Sequence, residues 1–363
     1  MSTMFPKNKI IKIFGEQLQW PGVGPDGKFT NGSFTDPLIK PSFIPAETLN
    51  LILENLQNVI LAAGLTPNNI EPDQLIKAVQ LLSGGRPPTQ GIPSDSEVVD
   101  YGRDLLQVLG VSTIPEASAE IRRRCNNNGE IDNAGLPDFS GIKIGDYIDG
   151  IDLSGVSAAP AGTAPQAWND TYKNNRIVVS GFNTWKGAGD IELTQNHILF
   201  TFRNVLCTGR MKSSDTSAGG YQGTEMREWL EGANGDGNGQ LANKLKQQLG
   251  GDYLLKTRQL WMTSHQTAWE WANATLFPAS ESNVFGESIW QTVFNDGLKV
   301  HFPIYEYSLI YRVKRLNGVR HCWWECNPSG QYAFCLVNNY GYTFSYYYAS
   351  VASGGVSPVF CLA

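Results

Sequence analysis

Apolar positions in the first third of the chain fall at the three-and-four spacing of amphipathic helices. After Pro45, Leu49, Ile52, Leu53, Leu56, Ile60 and Leu61 line one helical face, and Gly64 stops it. The spacing predicts a second helix over 72–82, and then GGRPPTQGIPS reads as a linker. SEVVDYGRDLLQVLG, ended by Gly110, and PEASAEIRRRC, with Pro115 in its first turn, predict two more helices within 96–124. These short helices share no evident core. They are expected to form an assembly module whose apolar faces are buried by partner chains.

Beyond residue 136 the period shortens. PDFSGIKIGDYIDGIDLSGVS predicts short strands with glycine turns, and AAPAGTAPQ a loop. RIVVSGF and HILFTFRNVLCTG read as strands, with a turn over Thr184 to Asp190 between them. TEMREWLEG and LANKLKQQLGG read as helices joined by the loop GANGDGNGQ, followed by a strand near Lys256 to Thr263. SESNVFG and FPIYEYSLIYRVKR are expected to be strand-like. The fold class expected is α+β, with an irregular segment 1–45, a mainly helical region 46–135 and a mixed domain 136–363.

The terminal stretch 322–363 breaks from this pattern. Between Trp323 and Tyr348 it holds ten aromatic residues, against 11% aromatic overall, and from Cys322 onward Glu325 is its only charged side chain. Rigid tyrosines among adaptable Ser, Asn and Gly make the composition of a recognition surface. An all-β core with a tyrosine-rich strand is the alternative. Against it stands Tyr346-Tyr347-Tyr348, since successive strand side chains point to opposite faces.

Composition narrows the function classes. The net charge of −6 announces no basic face, so nucleic acid is not an expected partner. No apolar run is long enough to span a bilayer, and the N-terminus lacks the hydrophobic core of an export signal, so neither membrane insertion nor a signal peptide is expected. Cys125, Cys207, Cys322, Cys326, Cys335 and Cys361 could form three disulfides, but in a reducing compartment they are expected to be free and mostly buried. Cys322 and Cys326 have no second pair at zinc-ligand spacing.

Several motifs are set aside. Gly22 to Gly27 spells GxGxxG, but Pro25 interrupts it and no βαβ unit surrounds it. Asn234, Asp236, Asn238 and Gly239 imitate a calcium loop whose twelfth position is Leu245, where a carboxylate is required. Trp168-Asn169-Asp170 lies far upstream of the strands that would carry such a lectin tripeptide. His197, His265, His301 and His321 lack a nucleophile and acidic orienter at motif spacing. No catalytic residue, metal ligand or cofactor is expected, and the chain reads as a non-enzyme.

Three blocks, GGYQGTEMREWLEG, ESNVFG and WWECNPSG…FCLVNNYG…ASVASGGVSPVF, resemble the C-type lectin fold of the formylglycine-generating-enzyme type, and specifically the variable proteins of diversity-generating retroelements. The resemblance covers about 140–363. It implies that adenine-directed mutagenesis rewrites codons in 322–363 so that one scaffold displays many binding faces. Tyr332, Leu336, Asn338, Tyr340, Tyr342, Phe344, Tyr346, Tyr347, Tyr348, Val351 and Ser353 stand where that variation falls. Trp324, Phe334, Val337, Gly341, Gly355, Val356, Pro358 and Phe360 correspond to the invariant frame. The chain departs from the family at Glu325-Cys326, where Arg-Ser is more usual.

LTPNNIEPDQLIKAVQ and YGRDLLQVLG are similar to modules at the attachment ends of phage tail fibres. Together the resemblances imply a phage or prophage receptor-binding protein of the virion tail, assembled as a homotrimer in the host cytoplasm. Its partners would be tail or baseplate proteins at one end and a bacterial surface protein or glycan at the other. A formylglycine-type oxidase, a glycan-acting enzyme and a host surface lectin are the alternatives.

Overall fold

The computed structural model describes residues 9–13, 16–20, 46–63, 65–67, 74–75, 78, 102–126, 139, 141–156, 174–265, 268–290 and 300–363. The GxGxxG stretch, the linker after residue 83, most of the expected helix 72–82, the AAPAGTAPQ loop and Trp168-Asn169-Asp170 lie outside them. The chain divides into two compact units, 1–90 and 91–363.

In the first unit, β1 (Lys9–Ile13) and β2 (Glu16–Trp20) pair as an antiparallel hairpin with Lys9 opposite Trp20. Helix α1 (Ala46–Ala62) follows the predicted period. It buries Leu53 and Ile60 but leaves Leu51, Ile52 and Leu61 more than half exposed.

The second unit is α+β, with two five-stranded sheets. The first contains β3 (Tyr147–Ile151), β4 (Asn175–Phe182) and β5 (Ile198–Phe202), with the last strand of the chain paired to β5. The second begins at β6 (Cys207–Thr208). Between sheet strands lie α4 (Glu225–Glu231) and α5 (Gln240–Leu249), followed by the hairpin β7 (Thr257–Ser264) and β8 (Ala268–Ala274), then β9 (Leu276–Pro278). Thr224 caps α4 by accepting the Arg227 amide, and Gly250 ends α5 in the left-handed region.

Helices α2 (Leu105–Leu109) and α3 (Ile114–Asn126) correct the expected boundary at residue 135. Leu105, Ala117, Ile121 and Cys125 are buried in the core of the second unit, and the Cys125 thiol points at the Leu362 carbonyl. Arg103 fixes the approach to α2 through its ion pair with Asp146 at 2.7 Å. Their apolar faces looked unpartnered because the surface that covers them comes from residues far along the chain.

Two expected strands are helices. Ser280 accepts the Asn283 amide while the Asn283 side chain returns to the Ser280 amide, and this capping box starts α6 (Glu281–Phe285). Pro303 opens α7 (Pro303–Tyr307), and a 3₁₀ turn over Leu309–Tyr311 follows. Extended backbone resumes in β10 (Lys314–Leu316) and β11 (Val319–His321).

The end of the chain builds both sheets. β12 (Trp323–Pro328), β13 (Ala333–Val337) and β14 (Thr343–Tyr348) form a meander, and β15 (Gly355–Val356) adds parallel to β12, giving the order β14-β13-β12-β15-β6. β16 (Pro358–Leu362) then crosses into the first sheet, between β5 and β9, in the order β3-β4-β5-β16-β9. Every residue of β12, β13 and β16 is buried, whereas β14 is an edge strand. All six cysteines are free thiols, and five of them are buried.

Candidate functional site

The terminal stretch separates into a sealed frame and an exposed aromatic set. Trp324, Phe334, Val337, Val356 and Phe360 are at most 1% exposed. Trp323 and Trp324, adjacent on β12, point to opposite sides of it, as the pleat requires. Trp323 donates its indole N–H to the Arg312 carbonyl at 3.0 Å, and Trp324 donates to the Gly209 carbonyl at 2.7 Å. Both tryptophans therefore bury a large ring without orphaning its polar atom.

Tyr332, Tyr340, Tyr342, Phe344, Tyr346 and Tyr348 are each about half exposed or more, Tyr346 most of all at 72%. Ser353 is exposed as well, and Asn338, Tyr347 and Val351 are half-buried. Leu336 is the correction: at 2% exposure it lies between Trp324 on β12 and Phe344 on β14 and belongs to the frame. It cannot contribute to an exposed face.

Register explains how β14 shows so many aromatic rings. Phe344 lies opposite Leu336 and Tyr347 opposite Phe334, so three steps along β14 match two along β13. The extra residue makes a bulge, and Tyr346 takes up φ +71°, which a bulky side chain rarely adopts. Tyr346 and Tyr348 stay exposed while Tyr347 turns partly inward, its hydroxyl 2.7 Å from Ser353 Oγ. A bulged edge strand is also a poor template for pairing with another strand.

The turn before β14 is built by Asn338. Its Oδ1 accepts the amides of Tyr340 at 2.9 Å and Tyr342 at 3.1 Å, and its own amide donates to the Tyr342 carbonyl at 2.7 Å. Asn338 thus orients two tyrosines more than it offers itself. Gly341, at φ +85°, closes the turn against Val313 and Arg312, where a side chain would crowd both. Ser350 is tied at the far end to Asp215, which accepts both its amide and its hydroxyl. No local pattern could have flagged Asp215, because it lies 135 residues away.

Other polar side chains have structural duties. His197 is fully buried: its Nε2 accepts the Trp185 amide at 3.1 Å, so Nδ1 carries the proton and donates to the Gln195 carbonyl at 3.0 Å. His301 Nε2 meets the Val284 carbonyl and His321 Nε2 the Ser353 carbonyl. The false calcium loop runs between α4 and α5, and its Leu245 is core. Buried Glu231 accepts the amides of Thr275 and Leu276 and pairs with Arg227 at 3.3 Å. Burial pushes its carboxyl up to about 7, against the pull of those amides and of Arg227.

No family model matches the chain, and no solved structure matches it significantly. Among known proteins it is similar to mouse Sperm acrosome-associated protein 5, 27% identical over 148 residues that cover 35% of this chain and 88% of that protein. A likeness at that identity, over about a third of the chain, assigns no family.

Proposed function

We propose that the chain is a receptor-binding protein of a phage or prophage, and that its aromatic face docks on a bacterial surface protein or glycan. The observation that carries this reading is the division of 322–363 into buried frame residues and six exposed aromatic side chains. Single exposed apolar residues are ordinary on a protein surface, but a run of large rings held by one edge strand and its turns is not. The resemblance to diversity-generating retroelement variable proteins supplies the reason for the division: rewritable positions must be ones whose change leaves the core intact. Six of the eleven positions meet that condition as exposed rings and Ser353 as an exposed hydroxyl, whereas Asn338, Tyr347 and Val351 are half-buried and Leu336 is sealed.

The mechanism is binding. Tyrosine rings contribute contact area at low entropic cost, and several copies on one particle multiply a modest single-site affinity through effective concentration. The exposed Leu51, Ile52 and Leu61 on α1 support association of chains through the first unit, and the homotrimer is carried by the tail-fibre resemblance.

The test is the DNA beside the coding sequence, together with binding to bacterial cells. We expect a near-copy of the 3′ end that differs at adenines, next to a reverse transcriptase gene. We also expect binding that Tyr342→Ala, Tyr346→Ala and Tyr348→Ala together abolish. Cell binding that survives the triple variant would overturn the reading.

A further inference from the structure

Three ionisable groups converge inside the second unit. Glu325 stands on β12, Cys335 on the neighbouring β13, and Glu281 in the first turn of α6, its amide donating to Asn327 Oδ1 at 2.8 Å. One ligand atom from each lies within 4.8 Å of the other two, and all three residues are fully buried. Glu281 is well served, accepting the Thr343 hydroxyl at 2.9 Å and the amides of Ile289 and Trp290 at 3.2 to 3.3 Å. Glu325 is not. Neither of its carboxylate oxygens makes a well-formed hydrogen bond among the described residues, because the nearby Thr343 hydroxyl, which pulls against its rise, is spent on Glu281.

Orphaned carboxylate oxygens in a protein interior are costly, and native proteins rarely keep them without a purpose. Burial first, and the neighbouring Glu281 second, push the Glu325 carboxyl well up; burial and both glutamates do the same to the Cys335 thiol. Arg312 offers the opposing charge, with one guanidinium nitrogen spent on the Tyr305 carbonyl at 3.1 Å.

We propose that Glu281, Glu325 and Cys335 together hold a divalent metal ion of the zinc class. Such an ion satisfies the orphaned oxygens and turns mutual repulsion into shared attraction. The donor set decides the class: a thiolate beside carboxylates favours zinc over calcium or magnesium, which take oxygen alone. Binding displaces one proton from Glu325 and one from Cys335, because carboxylate and thiolate are the ligating forms. Three anionic ligands on a doubly charged ion leave one negative charge, which Arg312 offsets. Full enclosure makes the site structural. It ties β12, β13 and α6 together, while Thr343 links Glu281 to β14, the strand that carries the exposed rings.

The full chain, purified without chelator and assayed for metal, is then stripped and titrated with Co²⁺. We expect near-equimolar zinc, a sulfur-to-cobalt charge-transfer band, and a zinc-dependent rise in Tm. Cys335→Ser should lose the band, and Glu325→Gln should lose the zinc-dependent rise. A wild-type chain that gives no cobalt band and no Tm response to zinc overturns the proposal, as does a band that survives in Cys335→Ser. If either variant fails to fold, the wild-type titration still decides.

Discussion

Trp324 meets Tyr347 edge to face, with ring centroids 5.1 Å apart and planes at 64°. The first ring is sealed in the core and the second is half-buried beside the exposed aromatic set, so this contact couples the frame to the strand it displays. Gly354 packs so tightly on the indole that an added Cβ would come within 2.2 Å of it. Trp324→Ala should cost about 3–5 kcal/mol, because it opens a cavity and orphans the Gly209 carbonyl. Gly354→Ala should cost about 1–3 kcal/mol by overpacking the same ring. Denaturant unfolding measures both, and a cost under about 0.5 kcal/mol for either, the range of a neutral surface change, would remove the indole from the frame.

Tyr346 combines the greatest exposure of the aromatic set with a left-handed backbone. A non-glycine residue held there stores about 1–2 kcal/mol, which the bulge imposes and glycine would not. Tyr346→Gly should therefore leave stability unchanged or raise it, despite removing a large ring, and under the proposed function it should weaken attachment to bacterial cells. A destabilised Tyr346→Gly chain would show that this tyrosine packs instead of presenting itself.

The exposed aromatic set was legible in the sequence from its density of tyrosines among Ser, Asn and Gly without charge, and Tyr346 to Tyr348 added that a strand cannot hide three successive tyrosines on one side. The α+β class was legible too, from the change of period after residue 136. Leu336 was not, since nothing local distinguishes it from the variable positions and its burial comes from its cross-strand neighbours Trp324 and Phe344. The helix at Ser280 was missed although its capping box is in the sequence, because five residues show too little periodicity to outweigh Val284 and Phe285. The meeting of Glu281, Glu325 and Cys335 was out of reach, because strand register and a distant helix bring them together.

The unit boundary gives a third prediction. A fragment spanning 91–363 keeps α2 and α3, with Leu105, Ala117, Ile121 and Cys125 in their places, and should unfold cooperatively. A fragment spanning 136–363, cut where the sequence first suggested, strips those side chains from the core and breaks the Arg103–Asp146 pair. At about 1.5–3 kcal/mol each for fully buried Leu105 and Ile121, the loss is about 3–6 kcal/mol, a large part of a domain's stability. Calorimetry of the two fragments checks this; equal melting would make α2 and α3 peripheral.

His197 supplies a pH signature. Burial, with Lys186 adding to it against the pull of the Gln195 carbonyl, lowers its pKa from the ordinary 6.5. The unfolded chain then takes up the proton first, so stability falls as pH drops below about 6.5 and levels off under the lowered folded value. Glu231 acts in the opposite sense. Raised from 4.5 to about 7, it holds a proton in the folded state that the unfolded chain has released, so its contribution is full below 4.5 and is lost as pH rises through 7. His197→Gln separates the two, because Glu231 is common to both proteins. At pH 8 the substitution should cost about 1–3 kcal/mol, since a flexible amide side chain cannot meet the Trp185 amide and the Gln195 carbonyl together as the rigid ring does. Toward pH 5 the difference should shrink, as the wild type alone gives up its histidine contribution. Paired urea unfolding at the two pH values reads this directly, and a difference that did not change with pH would mean that His197 titrates as it does in water.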